Sequence, residues 1–226
     1  MLRVKLSPSI LDEFNNFLCG NYELWNKTEA DLKNYLLGVR TPNTAMSLGN
    51  VVHRMIEEGP EKFENEPGFY SVRDEEMKAD WLFTDDALSP IRTLNYIFPD
   101  ASHEVWNELT IKVPGAEILL KMRHDFLEGI RLHEVKTTTG QAKKYADYLK
   151  SLQWRCYLLA LPECPSVTYH CLRFPNAEPD RIIAACNYSE LTYRQYDGME
   201  NDVREIATEF MEWAKQTPAV MQKITI

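Results

Sequence analysis

Asp125, Glu134 and Lys136 are the residues of this sequence best suited to chemistry. They lie in one stretch, Asp125-Phe126-Leu127-Glu128-Gly129-Ile130-Arg131-Leu132-His133-Glu134-Val135-Lys136, which reads as two strands joined at a tight turn. A two-residue loop at Glu128-Gly129 puts Asp125 opposite Leu132 and makes Glu134 its diagonal neighbour on the same face, roughly 7–8 Å away. Side chains two apart on a strand share a face, so Glu134 and Lys136 point together. Carboxylates on adjacent strands can share a hard divalent cation and leave positions open for water and a phosphate oxygen. A lysine on that face can orient or deprotonate the water and offset charge in the transition state. Asp, a variable gap and Glu-x-Lys is nevertheless a common pattern, and on spacing alone a polar strand face is the simpler reading.

The elements around this hairpin decide what can reach it. Ser7-Pro8 is a cap followed by a proline at the first helical position, opening a helix that Gly20 stops. A second helix is predicted over 22–38 and a third over 44–58, ended by Gly59-Pro60, with Leu48, Val51, Val52, Met55 and Ile56 at helical spacing. Residues 60–100 are punctuated by prolines, with short helices predicted at 74–83 and 89–97. Strand periodicity then takes over at 103–113, 117–127 and 130–136, turned by Pro114-Gly115 and Glu128-Gly129. A helix is predicted over 142–161, strands over 166–174 and 181–187, and an amphipathic helix over 189–216. The expected fold is α/β (α+β): one domain over 1–226, with a mainly helical part at 1–100 and a mixed central sheet flanked by helices at 101–226.

The chain has 226 residues, 44% hydrophobic and 26% charged, enough for a sizeable core. Its apolar runs fall short of the ~20 residues of a membrane span. Met1-Leu2-Arg3-Val4-Lys5 lacks the apolar core of a signal peptide, so a cytoplasmic protein with no membrane partner is expected. Five cysteines at irregular spacing read as reduced thiols. The net charge of −9 argues against a general nucleic-acid coat protein but allows local grip. Arg131, Lys136, Lys143, Lys144, Lys150 and Arg155 crowd the region from the hairpin onward, although a solvated helix face explains such a run as well.

At these residues the chain resembles the PD-(D/E)XK nuclease superfamily, and within it the RecB/RecE-like phage-type exonucleases. Ser7-Pro8-Ser9-Ile10-Leu11-Asp12-Glu13-Phe14, with Cys19 soon after, is similar to the family's N-terminal helix. Leu48-Gly49-Asn50-Val51-Val52-His53 matches its Gly-x-x-x-His signature, Glu134-Val135-Lys136-Thr137-Thr138 its catalytic strand, and Gln153-Trp154-Arg155-Cys156-Tyr157 its Gln-x-x-x-Tyr motif. These stretches occur in the family's order across positions 7 to about 161. The chain departs from the pattern at Met122, where many relatives have glycine. Cys164, Cys171 and Cys186 are also too scattered for the iron–sulfur cluster that some relatives hold.

The resemblance implies a restriction-endonuclease-like core and a metal-dependent DNA exonuclease of phage recombination or repair. His53, Asp125, Glu134 and the Val135 carbonyl would hold one or two Mg²⁺ or Mn²⁺ ions, a donor set that suits either metal. Lys136 would be the catalytic lysine. Gln153 and Tyr157, four apart on a helix, would reach the site or the DNA together, and Glu108 resembles an accessory acid. The implied partners are DNA (linear duplex or single strand), a second copy of the chain in a homo-oligomer, and a single-strand annealing or recombination protein. From the residues alone, a hydrogen-bonded histidine at a helix edge is the preferred reading of His53, while Gln153 could simply be exposed and Tyr157 could be core. A non-catalytic nucleic-acid-binding recombination accessory module that kept the nuclease fold is the competing function.

Overall fold

The computed structural model describes residues 1–39, 42–98, 101–141 and 145–226, without the side chain of Tyr145. The chain opens with a strand that its composition did not announce, β1 (Leu2–Leu6), followed by α1 (Pro8–Leu18), the helix expected from Ser7-Pro8. The single helix predicted over 22–38 is two, α2 (Asn21–Leu24) and α3 (Glu29–Leu36). Asn26 takes φ 52° between them, and the Asp31 carboxylate accepts from the backbone N–H (2.7 Å) and hydroxyl (2.8 Å) of Thr28, which starts a new helix. Helix α4 (Thr44–Glu58) has the predicted span, capped by Asn43 Oδ1 accepting from the Met46 N–H at 3.0 Å.

The helix predicted at 74–83 is instead part of a hairpin. β2 (Glu64–Glu66), β3 (Phe69–Asp74) and β4 (Ala79–Thr84) form an antiparallel run. Ala79, Trp81 and Phe83 are buried and alternate with half-exposed neighbours, a period of two that charged Asp74–Lys78 obscured. The helix foreseen at 89–97 starts earlier, as α5 (Asp85–Ile97).

Next come β5 (Ser102–Val113), β6 (Ala116–Glu128) and β7 (Arg131–Thr138), close to the predicted bounds. The helix predicted over 142–161 is broken into α6 (Tyr145–Leu149) and α7 (Gln153–Ala160); its start at 142–144, with Lys143 and Lys144, lies outside the described residues. β8 (Ser166–Arg173) follows. The strand expected at 181–187 shrinks to β9 (Ile182–Ile183), and the helix expected from 189 is first a strand, β10 (Asn187–Arg194). Thr and Tyr in Asn187–Arg194 favour extended backbone, and antiparallel pairing with β8 takes the segment away from the helix. Helices α8 (Met199–Lys215) and α9 (Pro218–Ile224) close the described chain.

The fold is mixed α/β. A six-stranded sheet runs β1-β6-β7-β8-β10 with β5 also on β6, and a second sheet runs β2-β3-β4-β9. Parallel pairs (β1 with β6, β7 with β8) sit beside antiparallel ones (β5 with β6, β6 with β7). Along β7, Leu132 belongs to the apolar cluster shared with α1, α7 and α8, and Val135 to the cluster shared with α4 and α5. Odd and even positions of a strand face opposite ways, so the large sheet divides two cores. Each fully buried Leu, Val or Phe in them contributes ~1.5–3 kcal/mol. The N-terminal hundred residues therefore supply strands to both sheets as well as helices. No helix among the described residues is long and apolar enough to cross a membrane.

The sheet is forked where the chemistry sits. One edge of β6 pairs with β5 along most of its length. The other pairs with β1 through Leu120 and with β7 only from Phe126 to Glu128, so between Lys121 and Asp125 it has no ladder partner among the described residues.

Candidate active site

The hairpin loop lies one residue from the predicted one, which moves every cross-strand partner by two. Glu128 pairs with Arg131, Leu127 with Leu132 and Phe126 with His133, so the loop is Gly129-Ile130 rather than Glu128-Gly129. The reason is turn chemistry: a two-residue hairpin loop wants φ > 0 at its first position, and Gly129 takes φ 59° there. Continued by one step, this register sets Asp125 against Glu134 rather than Leu132.

At that step the strands part, and the carboxylates replace the ladder. Asp125 Oδ2 accepts from the Val135 N–H at 2.8 Å, and Glu134 Oε1 accepts from the Asp125 N–H at 3.3 Å. Each acid thus closes a backbone bond that the fork leaves open, which fixes both side chains. Val135 enters the site through this N–H.

On the α7 side Glu134 Oε2 accepts from the Lys136 ammonium at 3.1 Å, and Lys136 also donates to Gln153 Oε1 at 3.1 Å. Gln153 Nε2 donates in turn to the Tyr157 hydroxyl at 2.6 Å, and the Tyr169 ring centroid lies 4.9 Å from the ammonium. Gln153 and Tyr157 share a helix face, as expected, and both reach the site. Burial, and then the neighbouring Asp125, raises the Glu134 carboxyl, while the Lys136 ammonium pulls it back down. Burial pulls the Lys136 ammonium down, but Glu134 and Asp125 outweigh it and leave Lys136 above its ordinary value. Lys136 therefore holds its proton at neutral pH, and a charged ammonium can offset negative charge beside it. Burial raises the Tyr157 phenol well above its ordinary value, so it stays neutral.

On the α4 side His53 Nδ1 stands 3.8 Å from Asp125 Oδ1. Helix α4 approaches β7 at Gly49, where a Cβ would sit in van der Waals contact with Thr137 Oγ1, at 3.4 Å. His53 and Asp125 line a cleft of about 310 Å³ with Asn50, Arg54, Glu57 and Glu104. Glu57 is raised by its burial and then by Glu104.

Among the described residues, no group of three His, Cys, Asp or Glu side chains is already placed to hold a metal ion. Both Glu134 oxygens and Asp125 Oδ2 are engaged by donors within the chain. The Asp125 Oδ1 and His53 Nδ1 pair nevertheless has the hard oxygen and imidazole chemistry that suits Mg²⁺ or Mn²⁺, with Glu134 alongside.

No family model matches the chain, and no curated protein matches it. Among solved structures, the crystal structure of SSO0001 is similar over 94% of this chain and 77% of that one, at 16% identity and a TM-score of 0.49. A likeness this distant carries no argument about activity.

Four residues at the site were given no role by the motif reading, although Asp12 lies within one of its stretches. Glu57 lies four residues after His53 on one helix face, a spacing visible in the sequence. Glu104 is flanked by the pairs His103 with Phe126 and Val105 with His124, a register that no local pattern encodes. His124 is fully buried, 4.4 Å ring to ring from Tyr157, with neither ring nitrogen hydrogen-bonded and Glu134 Oε1 3.9 Å from Nδ1. Burial lowers it to about 4, so it is neutral at pH 7. Asp12 reaches from α1 to accept from the Ser151 hydroxyl at 2.7 Å and from the Leu152 N–H, at the break before α7. Glu108, by contrast, pairs with Lys121 at 2.5 Å and does not line the cleft.

Proposed function

We propose that this chain is a metal-dependent deoxyribonuclease of the PD-(D/E)XK kind, hydrolysing phosphodiester bonds from DNA ends in recombination or repair. One observation carries the reading. Asp125, Glu134, Lys136, Gln153 and Tyr157 form an unbroken hydrogen-bonded series across the sheet fork, and His53 Nδ1 stands 3.8 Å from Asp125 Oδ1 at its end. A binding-only module has no use for a buried carboxylate–ammonium pair at such a fork, since burying one costs desolvation that an apolar pair avoids.

His53, Asp125 and Glu134, with the Val135 carbonyl, would hold Mg²⁺ or Mn²⁺. When bound, the ion supplies Lewis acidity at the phosphate and makes water a stronger nucleophile at neutral pH. Lys136, held charged and aimed by Glu134 and Gln153, stabilises negative charge on the phosphoryl oxygens as water adds and the P–O bond to the leaving sugar breaks. Tyr157 fixes the Gln153 amide so that its oxygen, not its nitrogen, faces the ammonium. Phosphates dominate such an interface, so weak sequence preference and strong salt dependence are expected.

The test is cleavage of labelled linear duplex, single-stranded and circular DNA with and without Mn²⁺. Shortening of linear DNA that needs Mn²⁺ and disappears in Glu134→Ala is the expected result. Binding without cleavage under every metal condition would overturn it in favour of the accessory module.

A further inference from the structure

A second cleft, of about 420 Å³, opens on the other side of the sheet from His53 and runs up to Lys136. Its volume lies within the roughly 300–1,000 Å³ of small-molecule sites. One wall comes from α1 and α2 (Asp12, Asn15, Asn16, Asn21 and Trp25), and the other from the α6–α7 region, including Tyr148, Lys150 and Gln153. The walls are bolted together. Asp12 holds Ser151 and Leu152, and Asn15 Nδ2 donates to the Lys150 carbonyl at 3.2 Å. Through Gln153 and Lys136 this frame joins the reacting groups directly.

The lining has an unusual chemistry. Four side-chain amides lie near two aromatic rings, and Trp25 is 49% exposed although it is a large apolar residue. Asn21 Nδ2 donates to Asn16 Oδ1 at 2.9 Å, a bond that orients both amides. Each amide can make up to four hydrogen bonds, so one bond positions it without saturating it. The charged groups of the described lining balance: Asp12 and Asp147 against Lys136 and Lys150, with no arginine. That balance suits an uncharged, flat, hydrogen-bonding group better than a doubly charged terminal phosphate. Nucleobases combine a stacking face with an edge that amides read.

We propose that this cleft is a subsite for one unpaired nucleobase, next to the phosphate held at Lys136. Trp25 supplies the stacking surface, and Asn16 and Asn21 contact the base edge. The assignment rests on the nuclease reading for the neighbouring phosphate. A base can enter only after leaving its duplex, so the subsite favours substrates that end in single-stranded or frayed DNA.

The test is a binding cycle that requires no cleavage. The full chain, in Ca²⁺ without Mn²⁺ or Mg²⁺, is titrated with a fluorescent single-stranded oligonucleotide carrying one abasic site at each position in turn. The expected result is one position at which losing the base weakens binding about tenfold. Trp25→Ala weakens binding of the intact oligonucleotide to a similar extent, and in that variant the abasic site at the same position costs little more. Trp25→Phe, which keeps a ring, recovers most of the affinity and melts with the parent chain. Equal losses at all positions, fully additive losses in the cycle, or no binding by the parent chain would overturn the proposal. Failure of the nuclease reading has a different signature: the cycle holds, but linear DNA stays intact in Mn²⁺.

Discussion

The two sides of the fork are built on different principles. On the α7 side Glu134, Lys136, Gln153 and Tyr157 are joined by bonds of 2.6–3.1 Å, and each main donor already has its acceptor. On the α4 side His53 stands off from Asp125 at 3.8 Å, in a cleft that also holds Glu57 and Glu104. One side is finished by the chain itself. The other leaves the His53 imidazole facing Asp125 Oδ1 without a hydrogen bond between them, with Glu104 paired to Arg123 at 2.8 Å, and under the proposed reading a cation would complete it. Charge preorganisation and ligand capacity are thus divided between two helices that pack on opposite faces of one sheet.

The sharpest way to break this comparison is to remove one group from each side. Lys136→Met leaves Glu134 buried without its partner, so stability measured by urea unfolding should fall by about 3–5 kcal/mol and cleavage by about 10²–10³-fold. His53→Ala should move stability by no more than about 0.5 kcal/mol, because the ring is half-exposed. It should raise the Mn²⁺ concentration for half-maximal cleavage by about 10–100-fold. Similar stability losses in both variants would erase the distinction.

A smaller effect appears with pH. His124 and His170 are both lowered to about 4 by burial. Above pH 6.5 both imidazoles are neutral in folded and unfolded chains and contribute nothing to the slope. Between 6.5 and about 4 the unfolded chain takes up protons that the folded chain refuses, so stability falls as pH falls, and the loss is complete below about 4. Each histidine contributes on the order of 2–3 kcal/mol across that window. His124→Leu should flatten the measured slope on the α7 side while the His170 part persists.

The smallest effect tests the bolt between α1 and α7. Asp12→Ala removes the acceptor for the Leu152 N–H and should cost about 1–2 kcal/mol in thermal or urea unfolding. Cleavage should fall through a looser Gln153, while the Mn²⁺ requirement set by His53 stays unchanged.

Much of the site was legible in the sequence because its signals are local. Alternation announced the strands of the hairpin, helical spacing set Gln153 beside Tyr157, and Gly59-Pro60 ended the helix carrying His53. What stayed hidden depends on partners distant in sequence. β1 exists because Leu2–Leu6 pair with Ala116–Leu120, more than a hundred residues away. β10 exists because β8 offers it an edge, and Glu104 reaches the cleft only through its register with β6. The one-residue error in the hairpin has a local cause, the preference of Gly129 for the first loop position. Moving the loop by one residue shifts each cross-strand partner by two, so every side chain keeps its face, and the two acids pass from diagonal neighbours to directly across from each other.

The reciprocal bonds at the fork have an evolutionary consequence. In many enzymes the reacting groups are a stability burden, and replacing them yields a hardier but inactive protein. Here Asp125 also closes the backbone of Val135, so its loss orphans a peptide N–H between two strands. Under the proposed reading, a substitution here that removes the acceptor loses activity and architecture together, whereas Asp125→Asn, which keeps an acceptor, separates the two.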